Sequence, residues 1–404
     1  MNLSEINLED YNYYLDSEKI AGYPTDKREG SRLLYIDKKN NTFKEYSFKD
    51  SVNLVPKDSL IIRNSTKVLP ARIMMKKPTG GLIEVLLLKP LKPFNEYQAS
   101  LNSKHSVVWD CIIGGRLKNT KELIVESNNV ILKAEIISKS ENIAEILFSW
   151  NDLDLTFSEV IDIIGRMPLP PYIKRESIDL DKKRYQTIYA KYDGSVAAPT
   201  AGLHFTDEIF QQFRDNNCII EDVILHVGMG TFVPITSDNI ENHKMHSEEV
   251  IIKKSTIELI IKQLQENKNI IAIGTTSVRS IESLFWWALK FKNSRNSFTL
   301  ELEQNEPYEM HQNFDKIEVL NFLLEEMNKN NVNEIRGHTS LLISPGYNYQ
   351  IINGMFTNFH LPKSTLLLLV SAFLGYDLWK KSYDYAINHK FRFLSYGDSS
   401  LLIK

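Results

Sequence analysis

One block of β-period segments, with no helical period among them, constrains this chain more than any other feature. Between 72 and 150, the runs GLIEVLLLKPL, YQASLN, SVVWDCII, ELIVES, VILKAEIIS and IAEILFSW alternate or stay apolar over strand lengths, and Gly114-Gly115 and Asn128-Asn129 supply turn material. Such runs build small barrels or sandwiches. The block closes before Pro168-Leu169-Pro170-Pro171, whose tandem prolines cannot sit in a central strand and mark a hinge or border. The expectation is a small all-β, barrel-like domain over 72–158. It interrupts a discontinuous domain made of 1–71 plus 159–404.

That larger domain mixes both periods. Helical spacing appears at 206–217, 255–266, 278–292, 316–329 and 364–374; strand patterns appear at 59–63, 219–227, 269–274, 340–343 and 393–403. Asn353-Gly354 between apolar residues predicts a hairpin over 350–356. The fold class expected is α/β (mixed α+β) with the inserted barrel. A length of 404 residues suits one large or two unequal domains.

Composition narrows the function classes. The apolar fraction of 43% and charged fraction of 25% exclude a disordered or collagen-like chain. Cys111 and Cys218 lack CxxC spacing, which argues against a disulfide scaffold or a thiolate zinc site. The acidic, interrupted start does not read as a signal peptide, and apolar runs such as 366–370 are far below the ~20 residues that span a bilayer. A soluble, cytoplasmic protein with no membrane partner is expected, as a monomer. The formal charge of −3 hides an uneven distribution: 301–330 carries eight acids and two lysines. Without it the rest is net positive. Arg63, Lys67, Arg72, Lys76 and Lys77 stand together with no acid, and 172–191 interleaves six basic residues with Tyr172, Tyr185 and Tyr189. Basic and aromatic groups together suit phosphates and unstacked bases, although from charge alone a solvated surface is the preferred reading.

Six polar stretches could carry chemistry. GSVAAPTAGLHFT (194–206) is rich in small residues that let a backbone approach a ligand, with His204 at its end. HVGMGTF (226–232) lacks the following helix that a dinucleotide fold needs. HKMHSE (243–248) has HxxH spacing beside Glu248; hydrogen-bonding or acid–base histidines are preferred there to a metal, and no metal is expected. GTTS (274–277) precedes Arg279 and Glu282, a strand–turn–helix unit that offers N–H groups to an anion, or merely a surface ion pair at i, i+3. TNFHLPKS (357–364) and FRFLSYGD (391–398) crowd polar side chains onto apolar segments. From the residues alone these describe an enzyme pocket with several histidines and carboxylates. A zinc hydrolase on His243, His246 and Glu248 and a non-catalytic RNA-binding module on 172–191 remain as rivals.

The motifs YQTIYAKYDGSVAAPTAGLHFT, LHVGMGTFVPI, HKMHSEEV, GTTSVRSIES, ISPGYNYQIINGMFTNFHLPKSTLLLLVSAF and FRFLSYGDSSLLI, in this order, closely resemble the S-adenosylmethionine:tRNA ribosyltransferase-isomerase family of queuosine biosynthesis. YPTDKREGSRLLYIDKKN, LIIRNSTKVLPAR and MPLPPYIKRE match as well, although Asn64-Ser65-Thr66-Lys67 replaces an Asn-Asp-Thr-Arg pattern. The resemblance implies transfer and isomerisation of the ribosyl part of S-adenosylmethionine onto the 7-aminomethyl-7-deazaguanine at the tRNA wobble position. Epoxyqueuosine-tRNA would form as adenine and methionine leave. S-adenosylmethionine is then a consumed substrate, with no true cofactor, and the tRNA anticodon stem-loop is the partner. Catalytic roles are expected for His204, His226, His360, Glu248 and Asp398. Substrate binding is expected of Thr200, Phe205, Thr231, Arg279, Glu282, Asn358, Phe359, Ser364, Arg392 and Tyr396. Phosphate contacts are expected of Arg63, Lys67, Arg72, Lys174, Arg175, Lys182, Lys183 and Arg184. The acidic helix pattern should dock through Ile317, Leu320, Leu323 and Leu324, with its acids facing water.

Overall fold

The computed structural model describes residues 5–117, 120–140, 143–228, 235, 240, 243–294, 300–310 and 314–404. Six antiparallel strands close a barrel in the order Ile143–Trp150, Ser106–Gly114, Leu82–Lys92, Arg72–Lys76, Glu122–Ser127 and Val130–Ser140. Alternate residues point inward, so Val85, Leu87, Trp109, Cys111, Leu132, Ile146 and Phe148 fill one buried cluster, and closure leaves no bare edge.

Five of these strands coincide with the runs read from sequence. The sixth does not. YQASLN is a short helix, Tyr97–Leu101, and the missing strand is Arg72–Lys76. Gln98, Ala99 and Ser100 include no β-branched residue to favour a strand, and the basic ends of the Arg72–Lys76 run concealed its alternation. The helix Phe157–Ile164, through which the expected border at 158 runs, lays Phe157, Val160 and Ile161 into the barrel's own cluster.

The larger sheet has ten strands: Leu300–Leu302, Glu334–Thr339, Glu248–Lys253, Ile219–Leu225, Leu60–Asn64, Ile270–Ile273, Gly354–Asn358, Ser399–Ile403, Arg32–Asp37 and Thr42–Ser47, in spatial order. It is covered on both faces, which is why its central strands read as unbroken apolar runs. Leu60 and Ile62 face the helices Lys254–Gln265 and Thr275–Ser294, while Ile61 faces Phe205, Phe210 and Phe213. The acidic helix, Lys316–Lys329, packs on those two helices through buried Val319, Leu320, Leu323 and Met327; Ile317 and Leu324 are only half-buried.

Three local expectations are corrected. Asn353-Gly354 makes no hairpin. Asn353 pairs with Ile270 through its N–H (2.9 Å) and its side-chain Oδ1 (3.0 Å), and Gly354 starts a strand parallel to Ile270–Ile273. A β-carbon on Gly354 would stand 2.7 Å from Ile403 Cδ1, so close strand packing selects this glycine. The strand expected at 340–343 lies instead at Glu334–Thr339, and only Ser399–Ile403 of the 393–403 run is a strand. Among the described residues no helix is long and apolar enough to cross a membrane.

Candidate active site

Ile219–Leu225, Leu60–Asn64, Ile270–Ile273 and Gly354–Asn358 are mutually parallel neighbours, so their carboxyl ends share one edge of the sheet. That edge is where open α/β sheets place ligands. Here it gathers His226–Val227, Asn64–Thr66, Gly274–Ser277 and Asn358–His360. The antiparallel strands Glu248–Lys253 and Ser399–Ile403 start at the same edge, which adds Glu248 and Asp398. Segments scattered through the sequence are thus brought together by strand direction alone.

A crevice at this edge is lined by Thr200, Ala201, Val227, Gly274, Thr275, Thr276, Thr357, Asn358, His360 and Ser364, with Tyr172, Leu394 and Ser395 beside them. No Asp, Glu, Lys or Arg stands among the described residues that line it. Its polarity comes from hydroxyls, one amide and one imidazole. The small-residue run reaches the crevice because it is tightly packed behind. A β-carbon on Gly202 would stand 2.1 Å from Tyr189 Oη, and one on Gly194, whose φ is +150°, would meet His226 Nδ1 at 2.5 Å.

Asn358 organises one side. Its Oδ1 accepts from Thr200 Oγ1 (2.8 Å), and its Nδ2 lies 3.2 Å from His204 Nε2. An amide nitrogen only donates, so Nε2 accepts and the His204 proton sits on Nδ1, 2.8 Å from Ser31 Oγ. Burial, then Arg28, Arg392 and Arg184, bring His204 down to about 3. His360 lines the crevice itself, with Nε2 2.7 Å from Thr357 Oγ1, and burial lowers it to about 3. His226 lies on the far side of its strand end, 3.2 Å from Thr66 Oγ1 and packed against Tyr97 of the barrel. Burial and Arg336 lower it to about 4. All three imidazoles are neutral at pH 7. They can accept a proton there, and have none of their own to give as imidazolium.

Other expected site residues are engaged elsewhere. Glu248 pairs with Arg279, both nearly fully buried, in an adjoining cavity that His243 and His246 also line. This replaces the expected i, i+3 ion pair with Glu282, whose carboxylate accepts from Tyr347 Oη and from the N–H groups of Gln350, Ile351 and Ile352. Asp398 accepts from the N–H groups of Arg32 (2.9 Å) and Arg392 (2.8 Å), and burial raises its pKa. Phe205 stacks on Phe210 and Phe359 packs on Phe393, both inside the core rather than facing the crevice. Ser364 caps the helix Thr365–Leu374 by accepting from Leu367 N–H. Tyr396 Oη donates to Asp181 (2.7 Å), and the Arg392 guanidinium donates to Tyr23 O. Thr231 lies outside the described residues.

The expected phosphate contacts divide in two. Arg63 donates to Asp222 (2.7 Å) between the rings of Tyr189 and Phe210, Arg175 pairs with buried Asp181, Lys67 with Asp193 and Arg72 with Glu84. Lys174, Lys182 and Lys183 are exposed, and Arg184 donates to Asp26 O and Thr25 O. Sequence reading passed over Ser31, Thr357, Asp181 and Thr276, and took Tyr172 for a nucleic-acid contact although it lines the crevice. Ser31 carries no local signal, since its partner His204 is 173 residues away, and Asp181 meets Tyr396 from 215 residues away as well as nearby Arg175. Thr357 and Thr276 sat inside motifs already singled out.

A family model described as "Queuosine biosynthesis protein" matches residues 8–402. The S-adenosylmethionine:tRNA ribosyltransferase-isomerase of Carboxydothermus hydrogenoformans is 37% identical over 399 residues, covering 98% of this chain and 100% of that one. The protein of the same name from a Sulfurihydrogenibium species is 35% identical over 402 residues, with 98% and 100% covered. A crystal structure of an S-adenosylmethionine tRNA ribosyltransferase from Thermotoga maritima aligns over 98% of this chain and 100% of that chain, at 23% identity and a TM-score of 0.47. With a family model spanning almost its whole length and relatives well above 30% identity end to end, the chain belongs to the queuosine biosynthesis family of S-adenosylmethionine:tRNA ribosyltransferase-isomerases.

Proposed function

We propose that this chain transfers and isomerises the ribosyl moiety of S-adenosylmethionine onto 7-aminomethyl-7-deazaguanine at the wobble position of tRNA. The product is epoxyqueuosine-tRNA, and adenine and methionine are released. The observation that carries the reading is the crevice at the carboxyl edge of the parallel strands. It joins a neutral imidazole to hydroxyl and amide groups, with no charged side chain among the described residues that line it. The relatives' shared name supplies the reaction class.

The sulfonium makes the adjacent 5′ carbon acidic, so a base must take a proton there. The sulfur keeps its bonding electron pair as methionine departs. His360 is placed in the crevice to accept that proton, and His204, oriented by Asn358, stands just behind. A neutral imidazole cannot protonate the departing adenine unless it has first taken a proton, so one histidine serving both steps in turn fits the electrostatics. S-adenosylmethionine is consumed and no resident cofactor is invoked. The acceptor is read through its anticodon stem-loop, because chemistry on a loop base needs only an exposed nucleotide and nearby phosphates. The enzyme acts as a monomer in the cytoplasm.

Free adenine should accumulate when the protein, S-adenosylmethionine and tRNA bearing the aminomethyl base are combined, and not when that tRNA is left out. Adenine release without tRNA, or none with it, would defeat the reading.

A further inference from the structure

The helix Thr275–Ser294 begins in the wall of the crevice, and its first turn is built to receive an anion. Gly274 enters it with φ +87° and contributes no capping side chain. Among the described residues no side chain accepts from the N–H groups of Thr275, Thr276 or Ser277, so the positive end of a long helix dipole faces the opening. A second, independent observation points to a ligand. Thr276 is 7% exposed and its Oγ1 has no hydrogen-bond partner. Neighbouring hydroxyls do have partners: Ser277 donates to Ile273 O, Ser280 to Thr276 O, and Ser283 meets Thr339. A β-carbon on Gly274 would stand 3.7 Å from Thr276 Oγ1 and 3.7 Å from Ala201 Cβ, so the missing side chain leaves space beside the buried hydroxyl. An unsatisfied buried hydroxyl is costly unless a ligand completes it.

Arg279 stands behind the site, its charge met by Glu248 but one nitrogen unused. It is 5% exposed, donates through Nε to Leu341 O and through Nη1 to Glu248, and leaves Nη2 buried without a partner. Its cavity shares Leu366 with the crevice. Among the described residues that line the crevice none is an acid that would oppose an anion.

We infer that the first turn of Thr275–Ser294 is the subsite for the α-carboxylate at the amino-acid end of the sulfonium donor, with Thr276 Oγ1 donating to it. This rests on the donor assignment above. A carboxylate so held places the sulfonium and ribose toward Asn358 and His360, where the reaction needs them.

Calorimetric titration of the wild type and Thr276→Val with S-adenosylmethionine and with its decarboxylated analogue tests the subsite. The wild type should bind the carboxylated donor about tenfold or more tightly than the analogue, the scale of a charge-assisted hydrogen bond at a helix start. Thr276→Val should lose most of that preference and change affinity for the analogue by less than about twofold. Thr276→Ser, which keeps the hydroxyl, should retain the preference. Equal weakening of both donors by Thr276→Val, an undiminished preference, or a loss confined to tRNA affinity (an RNA phosphate at the site) would overturn the inference. Failure of the wild type to release adenine from either donor in the presence of modified tRNA would instead refute the donor assignment, a result the variants cannot imitate.

Discussion

Asn358 holds its side-chain nitrogen 3.2 Å from His204 Nε2, and the two residues are 154 positions apart in the chain. The contact fixes one tautomer of a buried, neutral imidazole and ties the small-residue loop to the strand end that carries His360. Replacing Asn358 by Ala should lower kcat by about tenfold or more and let both His204 tautomers populate, which nitrogen NMR of the ring would report. Turnover within about twofold of wild type, with a single tautomer, would show that the contact does not matter.

Alanine in place of His204, His226 or His360 should leave the fold largely intact. At least one variant should lose ~10²-fold or more in turnover, the usual scale for a general base. The largest loss is expected for His360, which lines the crevice, and the smallest for His226, which faces the barrel. Near-normal rates in all three would remove the acid–base assignment.

Stability should fall on acidification well before carboxylates titrate. Folded pKa values near 3 for His204 and His360 and about 4 for His226 lie below the ordinary 6.5. The unfolded chain therefore binds protons that the folded chain refuses. The contribution is complete above pH 6.5 and is lost as pH falls from 6.5 toward the folded values, at up to about 1.4 kcal/mol per pH unit for each histidine. Urea unfolding across this range checks it. His204→Gln should flatten the slope, and a slope unchanged in that variant would contradict the burial argument.

Asp181 shows why some of the molecule was illegible in the sequence. It reads as one acid in a charged helix, yet it is fully buried and accepts from Arg175, Ile178 N–H and Tyr396. Burial alone would raise its pKa, but these hydrogen bonds and Arg175 hold it below the usual carboxylate value. Period and composition report faces and elements, so five barrel strands and most long helices could be read directly, although the helix Tyr376–Asn388 was not. Which carboxylate meets Arg63, Lys67 and Arg72 depends on strand pairing, and that is why they looked free. The histidine motifs were visible because polar residues interrupt apolar runs. That four parallel strand ends bring them together was not visible.

Asp181→Ala should cost about 3 kcal/mol or more, because it strands Arg175 and Tyr396 without their acceptor. For the wild type, the stability from this carboxylate is present above 3.8 and is lost as pH falls below it. Chemical denaturation of both proteins at neutral pH checks the first statement. A difference under about 1 kcal/mol would contradict it.

Lys174, Lys182 and Lys183, exposed together, should carry phosphate contacts that Arg63 cannot make from its place between Tyr189 and Phe210. Triple replacement by Ala should weaken tRNA binding and lower the slope of log affinity against log salt by about 2–3. Arg63→Ala should instead reduce stability with little change in that slope. An unaltered salt dependence in the triple variant would place the RNA elsewhere.

The fate of the ribose tests the central claim most directly. S-adenosylmethionine labelled with carbon-13 throughout its ribose is incubated with the enzyme and tRNA bearing the aminomethyl base, and the released nucleosides are weighed by mass spectrometry. The account predicts that the whole labelled ribosyl unit appears on the wobble nucleoside while unlabelled adenine and methionine are set free. Transfer of an unlabelled methyl group, or a wobble nucleoside without label, would contradict it.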